Sequence, residues 1–202
     1  YLIHHIMDAL EEQGKKVATT ALTGCAALLL GHHAKTIHSW AGIGLGKDPV
    51  EKLAHDIKAL PWKHAVWKRW LTTKVLIIDE VSMMSQKMFE LLDALGRNIR
   101  KSKSYLPFGG IQVIFSGDFY QLPPVIKNGD ERFCFESLRW NDVINTNIVL
   151  LEVMRQKDPL FQKVLSEVRV GNLSEETLSI INSRIGVEPD LSNGIIPTML
   201  YS

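Results

Sequence analysis

Apolar residues follow two rhythms along this chain. Over residues 1–13, Leu2, Ile3, Ile6, Met7 and Leu10 fall at helical spacing, and Gly14 is the expected stop. Residues 16–20 (KVATT) predict a short strand, and residues 25–30 predict a helix of small and apolar side chains closed by Gly31. KTIHSWAGIGLG, with glycines at 42, 44 and 46, predicts a loop or a short helix, and helices are expected over 49–60 and 62–71. Residues 75–78 are apolar without alternation, as in a central parallel strand covered on both faces. Residues 86–100 return to helical spacing, with Met88, Leu91, Leu92 and Leu95 on one side. KSKSYLPFGG predicts a turn and residues 111–116 a second buried strand. GDFYQLPPV predicts a loop, because paired prolines cannot continue a ladder. Val149 and Leu150 suggest a further strand, followed by helices over 159–170 and 174–183 and a last strand over 195–201. Strands alternating with helices predict an α/β fold: a central parallel sheet flanked by helices and joined by right-handed crossovers.

Composition narrows the class. At 202 residues, 46% apolar and 22% charged, the chain suits one ordinary domain over residues 1–202 with a real core. A formal net charge of +1 means that any nucleic-acid contact rests on local basic patches, not on a global field. The two cysteines, Cys25 and Cys134, form no disulfide framework, and a reducing intracellular compartment is expected. His32, His33 and His38 with Cys25 match no zinc spacing. No apolar run approaches the ~18 residues of a membrane span, so no membrane partner is expected. The opening YLIHHIMDALEEQGKK lacks the order of a signal peptide, and the chain has no initiating Met. It reads as a fragment.

The chemistry is concentrated where strands end. VLIIDEVSMM (75–84) delivers two adjacent carboxylates, Asp79 and Glu80, at the tip of an apolar strand. Open parallel sheets bind ligands at the carboxyl ends of their strands. Nucleotide hydrolases use such a pair: the Asp holds Mg²⁺ on the phosphates and the Glu polarises water. The alternative is a pair that merely caps the next helix through Asp79 or Ser82. IFSGDFYQLPPV puts Gly117, Asp118 and Gln121 beyond a second apolar run, within reach of a γ-phosphate or its water, or else in a Pro-rich surface turn. Either way a nucleotide site needs a GxxxxGK[ST] loop, and these residues contain none. GIGLGK (42–47) is nearest, but no buried strand precedes it and no Ser or Thr follows the Lys.

TALTGCAALLLG, TIHSWAGIGLG, VLIIDEVSMM, PFGGIQVIFSGDFYQLPPV and VMRQKDPLFQKVLSEVRVGNLS stand in that order. Together they resemble the petite-integration-frequency (Pif-type) DNA helicases of superfamily one, over nearly the whole chain. The resemblance implies a RecA-like P-loop NTPase motor domain, the first of two. In that family the phosphate loop ends in GKS before a YLL-type helix, so the loop is expected just upstream of Tyr1. The isolated chain is then expected to have negligible ATPase activity.

For catalysis, the resemblance implies that Asp79 coordinates Mg²⁺ and Glu80 activates water. It further implies that Gln121 contacts the γ-phosphate, that Asp118 stands beside it in the ATP site, and that Arg155 is an arginine finger in cis. For DNA, it implies that Thr20, Thr23, Gly24, His38 and Ser39 line a single-strand groove, with Trp40 packing on sugar or base. Phe119 either touches a base or packs in the core. Leu22 stands where the family usually has Ser, and Tyr120 where a second Phe is common. Arg97, Arg100, Lys101 and Lys103 read as a solvated helix face or as a DNA-contacting patch. Trp62, Trp67 and Trp70 are expected to pack the domain rather than to stack on bases.

The implied function is ATP-dependent 5′-to-3′ translocation on single-stranded DNA by a monomer. It would unwind duplexes, G-quadruplexes and RNA–DNA hybrids in telomere maintenance, replication, recombination and repair, in the nucleus or the mitochondrion. Two other classes stay open: a non-helicase P-loop ATPase and a catalytically dead DNA-binding relative. Gln121, where AAA-type ATPases usually present Asn, argues against that branch of the first.

Overall fold

The structure, a computed structural model, describes residues 1–31, 33–61, 64–125, 132–188 and 194. Two compact units emerge, Tyr1–Ile148 and Val149–Ser202.

The first unit begins with helix α1 (Leu2–Glu12), which ends at Gly14 in a left-handed conformation. Strand β1 (Val17–Ala21) leads into helix α2 (Gly24–Leu30), capped by the Thr23 hydroxyl on Ala26 N at 3.2 Å. A two-residue strand β2 (Lys35–Thr36) follows, and the Thr36 hydroxyl caps the short helix α3 (Ile37–Ala41). KTIHSWAG is thus a strand and a helix. Helices α4 (Val50–Ala59) and α5 (Ala65–Thr72) precede strand β3 (Val75–Asp79). Helix α6 (Gln86–Ile99), strand β4 (Gln112–Phe115) and the short helix α7 (Trp140–Val143) complete the unit.

All pairings among β1–β4 are parallel, in the order β2-β1-β3-β4. Strand β3 is central and explains its own unbroken apolar run. Leu76 and Ile78 face the main core with Trp40, Phe89, Leu92 and Leu95, while Val75 and Ile77 face Met7 and the α1 side. Each such burial is worth roughly 1.5–3 kcal/mol, and no polar residue of the strand could serve both faces.

A second knot sits where α6 meets the PFGG turn (Pro107–Gly110). Phe108, Gly109 and Gly110 have φ of 48°, 60° and 74°, so the chain doubles back against the helix. A Cβ on Gly96 would stand 2.6 Å from the Phe108 carbonyl carbon, which is why α6 carries a glycine in its interior. Asp93, fully buried, takes Phe108 N at 2.7 Å, Arg97 Nε at 2.8 and 3.0 Å and Arg139 Nη1 at 3.3 Å. Arg100, 7% exposed, donates to the carbonyls of Gly109, Trp70, Leu71 and Thr73. Arg97 and Arg100 are therefore internal ties, not members of a solvated or DNA-contacting face. Only Lys101 and Lys103 of that run are exposed.

Trp70 is fully buried, with its indole N–H on Ala41 O at 2.9 Å, and Trp67 packs on the same core. Trp62 lies outside the described residues.

In the second unit, helix α8 (Pro159–Val170) is capped by Asp158 and ends at Gly171 in a left-handed conformation. Helix α9 (Glu175–Asn182) is capped by Ser174. Val149 and Leu150 form no strand. They are 77% and 70% exposed and join no ladder, and an extended pair without a ladder partner has no hydrogen bonds to hold it as a strand. The strand expected over 195–201 lies outside the described residues.

Candidate functional site

Parallel pairing brings three strand tips to one edge of the sheet. Ala21 lies opposite Asp79, and Ile78 opposite Phe115. Beyond β4, Ser116 N donates to Ile78 O at 2.9 Å, and Ser116 O accepts from Val81 N at 3.0 Å. The chain leaving β4 is thereby clamped to the turn that leaves β3. Gly117 permits this approach, since a Cβ there would stand 2.8 Å from Val81 N.

Glu80 adopts φ 57° and ψ 42°. For a residue with a Cβ this left-handed conformation costs about 1–2 kcal/mol and persists only where its surroundings enforce it. The Ser116–Val81 bond supplies that enforcement. Asp79 and Glu80 are both part-exposed, and among the described residues neither carboxylate makes a hydrogen bond or an ion pair. The capping alternative fails here: helix α6 is capped by Ser85, which accepts from Met88 N at 3.3 Å. The Ser82 hydroxyl is fully buried, with no partner among the described residues.

Asp118 and Gln121 form one turn. Gln121 N donates to Asp118 O at 2.9 Å, its side-chain amide reaches Asp118 Oδ2 at 3.5 Å, and Tyr120 N donates to Oδ1 at 3.1 Å. Gln121 is exposed, in the turn that follows the carboxyl end of β4, the strand paired with β3.

Among the described residues, no three His, Cys, Asp or Glu side chains converge as a cation site would require. Asp79 and Glu80 are the part-exposed oxygen donors at the end of β3.

The expected DNA-contacting residues divide. Gly24 and Ser39 are exposed and Thr23 is part-exposed, its hydroxyl also serving α2 as its cap. His38 is half-buried, and burial pushes its pKa below the ordinary histidine value, favouring the neutral ring. Thr20 does not fit the groove: it is fully buried and its hydroxyl donates to Ile77 O at 2.9 Å, tying β1 to β3. Trp40 is 2% exposed and packs on Trp70 at a centroid distance of 4.7 Å, so it has no face for a base. Phe119 is part-buried among Phe133, Phe135 and Trp140. Arg155 is exposed and belongs to the second unit.

Residue-by-residue reading of the sequence missed Arg69, which donates to the carbonyls of Trp40 at 2.9 Å and Ser39 at 2.7 Å and so fixes the C-terminal end of α3. A basic residue beside a buried Trp gives no sign of that partner. It also missed Asp93, whose acidic side chain on an otherwise apolar helical face was the available signal.

A parallel sheet flanked by helices, with an acidic pair at the carboxyl end of a central strand, is the architecture of a RecA-like α/β domain. The PIF1-like helicase family model matches residues 1–182, and the chain belongs to that family. It is 43% identical over 179 residues to the ATP-dependent DNA helicase PIF1 of Emericella nidulans, covering 88% of this chain and 23% of that protein. It is 39% identical over 191 residues to the ATP-dependent DNA helicase RRM3 of Saccharomyces cerevisiae, covering 93% of this chain and 25% of that protein. The chain thus spans about a quarter of these relatives' lengths. Among solved structures, the Pif1 helicase from Candida albicans superposes with a TM-score of 0.83 at 39% identity, over 98% of this chain and 43% of that one. The Bacteroides Pif1 helicase in complex with ADP-AlF3 and ssDNA superposes with a TM-score of 0.74 at 28% identity, over 91% and 43%.

Proposed function

We propose that this chain is the first motor domain of an ATP-dependent DNA helicase that translocates 5′ to 3′ on single-stranded DNA. The observation that carries this reading is the turn at the end of β3. Two carboxylates with no partner among the described residues, one on a strained residue, stand at the end of β3, next to the strand whose exit turn carries Gln121. Strain and unpaired charge are costs that stability alone gives no reason to keep.

In this reading Asp79 would hold a Mg²⁺ ion, which would supply positive charge against the nucleotide's phosphates. Glu80 takes a proton from the attacking water as general base. Gln121 orients that water against the γ-phosphate, Asp118 holds the Gln121 turn, and Arg155 stabilises the transferring group. Thr23, Gly24, His38 and Ser39 contact the single strand, mostly through phosphate and sugar. The helicase works as a monomer in the nucleus or the mitochondrion, unwinding duplexes, G-quadruplexes and RNA–DNA hybrids in telomere maintenance, replication, recombination and repair.

The test uses the full-length protein. Single-stranded DNA stimulates its ATP turnover, it displaces a strand only from substrates with a 5′ overhang, and Glu80→Gln lowers turnover by about 10²–10⁴-fold. Turnover within threefold of the parent in Glu80→Gln sinks the reading. A second reading, a DNA-binding relative without catalysis, is favoured for these 202 residues alone, which lack GxxxxGK[ST]. Negligible ATPase activity is expected of them.

A further inference from the structure

The segment Arg132–Ser137, which the nucleotide reading leaves without a role, touches both halves of that site. On one side it pairs with the turn after Glu80. Gln86 N donates to Arg132 O at 2.8 Å, Cys134 N donates to Met84 O at 3.1 Å, and Ser85 and Phe133 form an antiparallel bridge. The fully buried Cys134 thiol points to Val81 O at 3.8 Å, one residue beyond Glu80, and burial pushes that thiol up to about 12, so it stays protonated and donating. Ser137 Oγ closes the segment on Glu90 at 2.7 Å.

On its other side the segment presents two rings to the glutamine turn. Phe133 and Phe135 stack at 5.0 Å, and Phe119 stands edge-on to both, 4.8 Å from Phe135 and 6.1 Å from Phe133. Phe119 lies inside the turn closed by Asp118 and Gln121. Edge-to-face pairs of this kind fix angle as well as distance. The Glu80 turn and the Gln121 turn are therefore each braced on the same short segment.

We propose that Phe133 and Phe135 are positioning residues for Gln121, holding its turn in register with the Glu80 turn so that base and water-orienting amide act on one water. The proposal rests on the nucleotide reading above. Phe135 is 41% exposed, so truncating it leaves the core intact. Misplacing an orienting group by a fraction of an ångström lowers the chemical step without weakening binding.

The experiment is a double-mutant cycle on the full-length protein, measuring DNA-stimulated ATP turnover. Phe135→Ala lowers kcat about tenfold, with KM for ATP and Kd for single-stranded DNA within twofold of the parent. Phe135→Leu, which keeps bulk but loses the flat ring, falls between. In a Gln121→Ala background, Phe135→Ala has no further effect on kcat, because the group it positions is gone. Multiplicative losses, or a rise in KM at unchanged kcat, overturn the positioning role while leaving the nucleotide site in place. Full activity in Gln121→Ala alone overturns the role assigned to Gln121, and this proposal with it.

Discussion

Asp93 and Glu80 are both acids of the first unit, and the fold treats them in opposite ways. Asp93 has no exposed surface, and its two oxygens meet a backbone N–H and two guanidinium groups. Glu80 is part-exposed, its carboxylate has no partner among the described residues, and it sits on a backbone that disfavours it. A saturated acid organises structure: Asp93 anchors the PFGG reversal onto α6. The Glu80 carboxylate, by contrast, contributes no such tie among the described residues.

The largest effect expected from breaking this contrast is at Asp93. Asp93→Ala strands the Phe108 N–H and leaves two cations without their shared acid, and is expected to cost about 3 kcal/mol in urea denaturation. A loss under 1 kcal/mol would show that the PFGG turn holds itself. The opposite sign is expected at the other acid. Glu80→Gly relieves a left-handed conformation and raises stability by up to about 1 kcal/mol while removing activity in the full-length protein. A destabilised Glu80→Gly would mean that its side chain supports the fold.

Glu167 sharpens the comparison, because it is a structural acid without deep burial. It accepts from Ser174 N at 2.7 Å and Ser174 Oγ at 2.8 Å at the α8–α9 corner. Those hydrogen bonds, the backbone one foremost, hold its pKa down to about 2, against an ordinary 4.5. A lowered folded-state pKa contributes stability that is present above the ordinary carboxylate value and is lost as pH falls from there through about 2. The effect is small, and a side-chain NMR titration with its midpoint near 2 checks it. A midpoint near 4.5 would remove Glu167 from the structural class.

What the sequence made legible follows from what is local. The runs at β3 and β4, the α6 face and the acidic pair at a strand tip all declare themselves within a dozen residues or so, through periodicity and a change of polarity. Thr20 and Trp40 did not, because their partners, Ile77 and Trp70, arrive from distant chain. The same holds for Arg97 and Arg100, which look like surface cations until the PFGG turn and the end of α5 are folded against them. Strand β2 is two residues long, and only the neighbouring β1 makes it a strand. The motif order carried the family, while burial decided which motif residues face inward.

The bond from Val81 N to Ser116 O has a consequence in time. The acidic turn follows β3 directly, yet its clamp comes from beyond β4, across the whole of α6 and the PFGG reversal. Contacts that close such long loops form late, because their entropy must be met before they reward the chain. While the chain is still folding, Asp79 and Glu80 are on a turn that nothing yet forces into its left-handed shape. The turn takes its final shape only when β4 docks, so the left-handed form of Glu80 reports that β3 and β4 are paired.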